Sequence, residues 1–126
     1  MNYLGTSINE SPVSAFPAGK DMTDIRGKAV MLDENGQVVL TESGKPVLGV
    51  AVLENPESVT TGDTVTVQTK DIGYVKAGTD VKSGDALTTD ADGAFIPATS
   101  GSYCAIALEN GAKDTFIPAI LRGGSL

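Results

Sequence analysis

GKAVMLDENGQVV, residues 27–39, and GDALTTDADGAFI, residues 84–96, are two versions of one pattern set 57 positions apart. In each, Gly opens an apolar run, the run meets Asp-x-Asn/Asp-Gly, and a second apolar run follows. Asn35-Gly36 and Asp92-Gly93 are the favoured central pair of a two-residue hairpin, in which both residues take positive φ. Each stretch is therefore expected as strand, tight turn, strand. The competing reading of these carboxylates is a calcium loop, which needs Gly at position 6 and a bidentate Glu at position 12. Here Gly stands fourth, and the twelfth position is Gly44 or Gly101. That spacing leaves an incidental surface cation contact at most, so no metal ligand is assigned.

The likeness continues on both sides of the hairpins. Ala18-Gly19-Lys20-Asp21 matches Ala77-Gly78-Thr79-Asp80, and Ser43-Gly44 matches Ser100-Gly101. Val50 to Asn55 then aligns with Ala105 to Asn110, and Asp63 to Val67 with Asp114 to Pro118. Two copies of this kind point to a duplicated, pseudo-symmetric domain, because a solenoid needs at least about three repeats. Period-two patterning and short apolar runs predict strands near residues 28–32, 37–41, 47–53, 64–69 and 73–76, then 86–89, 94–98, 103–108 and 115–121. No window carries a sustained helical period, so helix is limited to a single turn around residues 55–59. The expected fold class is all-β, a small duplicated β-barrel or sandwich of short antiparallel strands with an extended N-terminal arm. The division is an arm over residues 1–17 and one β domain over 18–126, with halves at about 18–70 and 71–123.

Apolar residues make up 40% of the 126-residue chain and aromatics only 5%, so the core is built of Val, Ile, Leu and Ala. The formal charge of −7 argues against nucleic acid as a partner, since no basic stripe exists to replace phosphate counterions. Cys104, the one cysteine, reads as a small buried hydrophobe within SYCAIAL. No run reaches the about 18 apolar residues a membrane helix needs, and the N-terminus lacks a signal-peptide pattern. The chain is accordingly expected to be made and retained in a cytoplasm, with no membrane partner.

Residues 1–16 carry one charged side chain, Glu10, with Pro12 and Pro17 nearby and apolar residues dispersed without period. Such a segment makes no core of its own. It is either a first strand folded onto its own domain or an arm lying on a neighbouring molecule, and the second reading is preferred. Tyr3, Leu4, Ile8, Val13 and Phe16 are then the partner-binding residues.

The absence of histidine removes Ser-His-Asp and Cys-His pairs, the usual zinc sites and the commonest general base near neutral pH. No S-x-x-K, Walker sequence or dinucleotide fingerprint is present. The carboxylates fall in turns, where Asp63 and Asp85 beside Gly62 and Gly84 read as caps. No catalytic residue and no cofactor site is assigned, and an enzyme is not expected.

The order of Gly27-Lys-Ala-Val, Gly49-Val-Ala, Gly62-Asp63-Thr-Val-Thr-Val and Gly84-Asp85-Ala-Leu-Thr-Thr-Asp90 resembles the small capsid cement, or decoration, proteins of tailed bacteriophages. The resemblance spans residues 18–123. It implies a virion structural protein without active-site positions, made in the host cytoplasm. Such a protein binds the exterior of an assembled head, commonly as a homotrimer, and ties major capsid protein subunits together. The family's short N-terminal segments contact the shell or an adjacent copy, and residues 1–16 match that role. A head-fibre or host- or carbohydrate-binding β module displayed on the capsid is the alternative, weakened by the lack of Trp. An accessory β module of a cellular assembly is a third.

Overall fold

The computed structural model describes residues 11–43 and 45–126. Ten strands follow one another: β1 (Val13–Pro17), β2 (Ala29–Leu32), β3 (Val38–Leu40), β4 (Gly49–Ala51), β5 (Thr64–Gln68), β6 (Asp71–Lys76), β7 (Ala86–Thr89), β8 (Phe95–Pro97), β9 (Ser102–Ala107) and β10 (Phe116–Ser125). They form two five-stranded sheets in the orders β1-β5-β4-β2-β3 and β6-β10-β9-β7-β8. All the ladders are antiparallel. The two orders are the same permutation, so the duplication is a property of the fold. Each sheet curls until its ends meet at one isolated bridge, Ala18 to Val38 and Ala77 to Phe95. Neither ladder closes into a barrel, and the architecture is a sandwich.

The hairpin apices differ in one respect from a two-residue turn. Gly36 and Gly93 have φ of 75° and 81°, while Asn35 and Asp92 are not among the positive-φ residues. Asp33 N–H donates to the Gln37 carbonyl at 2.8 Å and Gly36 N–H to the Asp33 carbonyl at 3.2 Å. The Asp33 carboxylate accepts the amides of Asn35 (2.9 Å) and Gln37 (3.0 Å). Asp90 repeats this with Asp92 (2.8 Å) and Ala94 (3.1 Å). These are three-residue connections with Gly alone in the left-handed region, because the Asp side chain supplies the acceptor for the remaining amides.

Pairing also corrects the alignment of the halves. Ala29 faces Val50 and Ala86 faces Ile106, so Val50 corresponds to Ile106 rather than to Ala105. The Ala18 amide donates to the Asp63 carbonyl and the Ala77 amide to that of Thr115, so β5 Thr64–Gln68 corresponds to β10 from Phe116 to Ile120. Gly62 (φ 89°) thereby matches Asp114 (φ 68°), the left-handed residue that turns the chain into the strand. The expected helical turn at 55–59 is absent. Asn55 is buried, its carboxamide donating to the carbonyls of Val52 and Thr66 and accepting the Thr66 amide. That side chain pins an irregular loop where a helix would have needed the same backbone groups.

Residues 13–17 are the first strand of the first sheet, each paired with β5. By its place in the order, β1 is the counterpart of β6, which extends the symmetry into the segment that had seemed to lie outside it.

Each half has its own core. Val30, Val38, Ala51, Val65 and Val67 with Ile25 fill the first, and Val75, Leu87, Phe95, Ala105 and Ile117 the second. The second core also contains Ala29 and Val50 from the outward side of the first sheet. This joint is reinforced by backbone bonds, Ala29 N–H to the Gly93 carbonyl and Lys76 N–H to the Gly27 carbonyl, both 2.8 Å. The Phe116 ring lies over Gly27, where a Cβ would come within 2.8 Å of it. Along the outer edge of β6, opposite β10, the Gln68 carboxamide donates to the carbonyls of Ile72 (2.8 Å) and Lys70 (2.9 Å).

Candidate functional site: an apolar sheet face on an acidic chain

An antiparallel sheet normally turns one apolar face to the core and one polar face to water. β5 obeys this, with Val65 and Val67 buried and Thr64, Thr66 and Gln68 on the other side. β10 does not. Ile117 and Ala119 are buried, yet the outward side carries Phe116, Pro118 and Ile120 in the places held by those polar residues. Pairing aligns Ile72, Ile120 and Ile106 in one row across β6, β10 and β9, with Tyr74 and Pro118 in the next. Ile72 is 59% exposed, Tyr74 56%, Phe116 42% and Leu108 41%. On a chain of formal charge −7, this largely apolar face, with the ion-paired Lys76 at its end beside Phe116 and Glu54 on the adjoining groove, is where another surface can approach closely. A contiguous apolar patch with a polar surround marks an interaction site.

A groove of about 510 Å³ runs beside this face, lined by Val13, Val52, Thr66, Ile72 and Tyr74 among others. Of the residues expected to bind a partner, Val13 is thus placed next to Ile72 and Tyr74. Phe16 lies on the opposite side of the same strand, half-buried against the first core, as strand alternation requires three residues on. Tyr3, Leu4 and Ile8 lie outside the described residues.

Ionic groups sit at the joint. Lys76 Nζ donates to the Asp24 carboxylate at 2.9 Å, and Lys28 lies 3.5 Å from the same oxygen. The Lys76 hydrogen bond, aided by the Lys28 charge, holds the Asp24 carboxyl below its ordinary value of 3.8 against the opposing effect of burial. Burial pushes the Cys104 thiol up to about 11, and its Sγ lies 3.6 Å from the Leu87 carbonyl. It packs, half-buried, against the second core. Other carboxylates close turns: Asp63 accepts the Thr60 amide and Asp85 the Lys82 amide, both at 2.9 Å. Among the described residues no three His, Cys, Asp or Glu side chains are grouped to hold a metal ion.

Sequence reasoning passed over Ile72, Tyr74, Leu108 and Phe116. The signal was the loss of alternation: FIPAIL at 116–121 is apolar at both parities, whereas TVTVQ at 64–68 is not.

No curated protein matches the chain in sequence. In fold, the chain is similar to the crystal structure of the head fiber gp8.5 N base in bacteriophage phi29. The TM-score is 0.66 at 22% identity, covering 86% of this chain and 92% of that one. Residues 5–119 match the family described as structural cement protein (E217 gp24/Pam3 gp6). The chain belongs to this family of phage structural cement proteins, and its role is a structural one in association with the capsid.

Proposed function

We propose that the chain binds the exterior of a phage head as a homotrimer and stabilises the capsid by bridging major capsid protein subunits. The observation that carries this reading is the exposed row around Ile72 and Tyr74 on a chain of formal charge −7. Its edge, beyond the strands that continue toward β7, faces a shell subunit. Tyr3, Leu4 and Ile8 extend the contact from Val13, which already stands beside that row, and Phe16 anchors the strand from which they lead. The acidic remainder faces solvent, and many equivalent sites on a lattice make modest single contacts sufficient. The protein is made in the host cytoplasm and acts without a catalytic residue or a cofactor.

The test is sedimentation with heads that lack the protein. Ile72→Glu with Tyr74→Glu is expected to abolish co-sedimentation while leaving the melting temperature near the wild-type value, and wild-type occupancy by this variant refutes the assigned face. Removal of residues 1–10, which leaves β1 intact, is expected to lower occupancy; unchanged occupancy removes the arm from the reading.

The fold likeness to a head-fibre base favours a second reading, a β module displayed on the capsid that binds host surface or carbohydrate. Specific glycan binding by the isolated protein, lost on Tyr74→Ala, distinguishes it.

A further inference from the structure

The joint between the halves is used in one direction only, and a matching pair of surfaces is left over. The first half contributes the outward side of β2 and β4, with Ala29 and Val50 at 0% and 2% exposure. The second half contributes its hairpin apex, whose Gly93 carbonyl accepts the Ala29 amide. If the joint were a true two-fold, the counterparts would meet as well, with the Gly36 carbonyl on the Ala86 amide. They are not joined: Gly36 is exposed, and a Cβ placed on it meets nothing within 4 Å.

Burial differs at each equivalent pair. Ala29 and Val50 are buried, and their counterparts Ala86 and Ile106 are partly exposed. Gly93 and Ala94 are buried, and their counterparts Gly36 and Gln37 are not. Thr89 is buried at 4% exposure, and the residue in its place in the first half is Leu32, 46% exposed. Beside Leu32 lies a groove of about 560 Å³ that Met31, Pro46, Val47 and Leu48 also line. Glu42 and Lys45 stand at the same groove, and among the described residues neither of these two surfaces, alike in fold to the two that already pack together, meets a partner within the chain.

We propose that a second copy of the chain occupies them. The Ala86 and Ile106 face of one molecule packs against the hairpin apex at Gly36 and the Leu32 groove of the next, repeating between molecules the joint within each. This deepens the self-association in the proposed function and rests on it. The contact is heterologous, so its repetition forms a ring where the rotation closes; three chains then present six similar halves. One element does not repeat. Pro17 stands where Lys76 donates its amide to Gly27, and proline has no N–H for the Gly84 carbonyl. The joint between molecules therefore lacks that bond and is the weaker of the two.

Sedimentation velocity over a dilution series tests the assignment. The wild-type chain is expected to associate, while Ile106→Glu and Leu32→Glu each sediment as monomers with wild-type melting curves. An equal mixture of the two variants restores one intact joint per pair and yields a dimer and nothing larger. A monomeric wild type at every dilution overturns the proposal. So do wild-type mass in both variants, and a mixture that stays monomeric, which is the behaviour of an interface made by one patch against itself. If Ile106→Glu melts early, Ala86→Arg probes the same face. Co-sedimentation with heads is read separately: a wild type that associates but leaves heads undecorated refutes the capsid reading and supports this one.

Discussion

Thr41 and Ala98 hold equivalent places in the two halves, the Thr41 amide donating to Ala29 at 2.9 Å and the Ala98 amide to Ala86 at 2.8 Å. Thr41 is fully buried and its hydroxyl has no hydrogen-bond partner among the described residues, a desolvation cost that Ala98 does not carry. Thr41→Val keeps the shape and removes the orphan oxygen, so it is expected to raise unfolding free energy by about 1 kcal/mol in urea titrations. A loss of stability would show that the hydroxyl is satisfied in solution.

Gly36 and Gly93 share a left-handed backbone but not their surroundings. Gly36→Ala meets only the conformational penalty, about 1–2 kcal/mol. Gly93→Ala adds a Cβ at 2.9 Å from the Ala29 carbonyl oxygen, across the joint between the halves. It is expected to cost clearly more, and equal losses in denaturant midpoint would refute the joint as described.

Asp24 ties the halves through Lys76, and its lowered pKa fixes the sign of the pH effect. A carboxyl held below its unfolded value contributes stability that is fully present above that value, 3.8, and is lost as pH falls through the lower folded value. The Asp24 side chain is 48% exposed, so screening keeps the contribution small. Asp24→Asn preserves a side chain tolerant of the positive φ. Its melting temperature is expected to lie slightly below the wild type at neutral pH and to converge with it below pH ~4. Added salt should narrow the gap at neutral pH.

Cys104 is expected to react with a thiol reagent at pH 8 far more slowly than the unfolded chain does, because burial pushes its thiol up to about 11 and the thiolate is the nucleophile. Rapid stoichiometric labelling of the native protein would show that this part of the second core opens readily.

The duplication was legible because the two hairpins are local: Asp33 and Asp90 organise turns within five residues of chain. Register beyond them was not. Glu54-Asn55 and Glu109-Asn110, like Asp63-Thr64 and Asp114-Thr115, are shared identities that lie in turns of unequal length, so matching them slides the adjoining strands by one residue. The kinship of β1 with β6 was hidden because VSAFP and IGYVK are identical at no equivalent position and share only the inward side taken by Phe16 and Val75. The apolar face was legible only at β10, where FIPAIL is apolar at both parities; its extent was not, because Ile72, Ile106 and Ile120 become neighbours only through the pairing of three strands. The arm's preferred reading rested on its sparse charge, a feature that a short first strand shares.

The bonds along the outer edge of β6 have a consequence for crowding. A lattice that gathers many copies of one chain holds them at a local concentration where bare strand edges zip together into continuous sheets and, eventually, fibrils. Gln68 occupies the Ile72 carbonyl and Gly27 the Lys76 amide, so two of the backbone groups a neighbouring strand would pair with are already taken inside each molecule, one at each end of the edge. Copies can then crowd shoulder to shoulder with the ends of this edge closed to strand pairing, and Gln68→Ala, which frees the Ile72 carbonyl, is expected to aggregate sooner at high concentration.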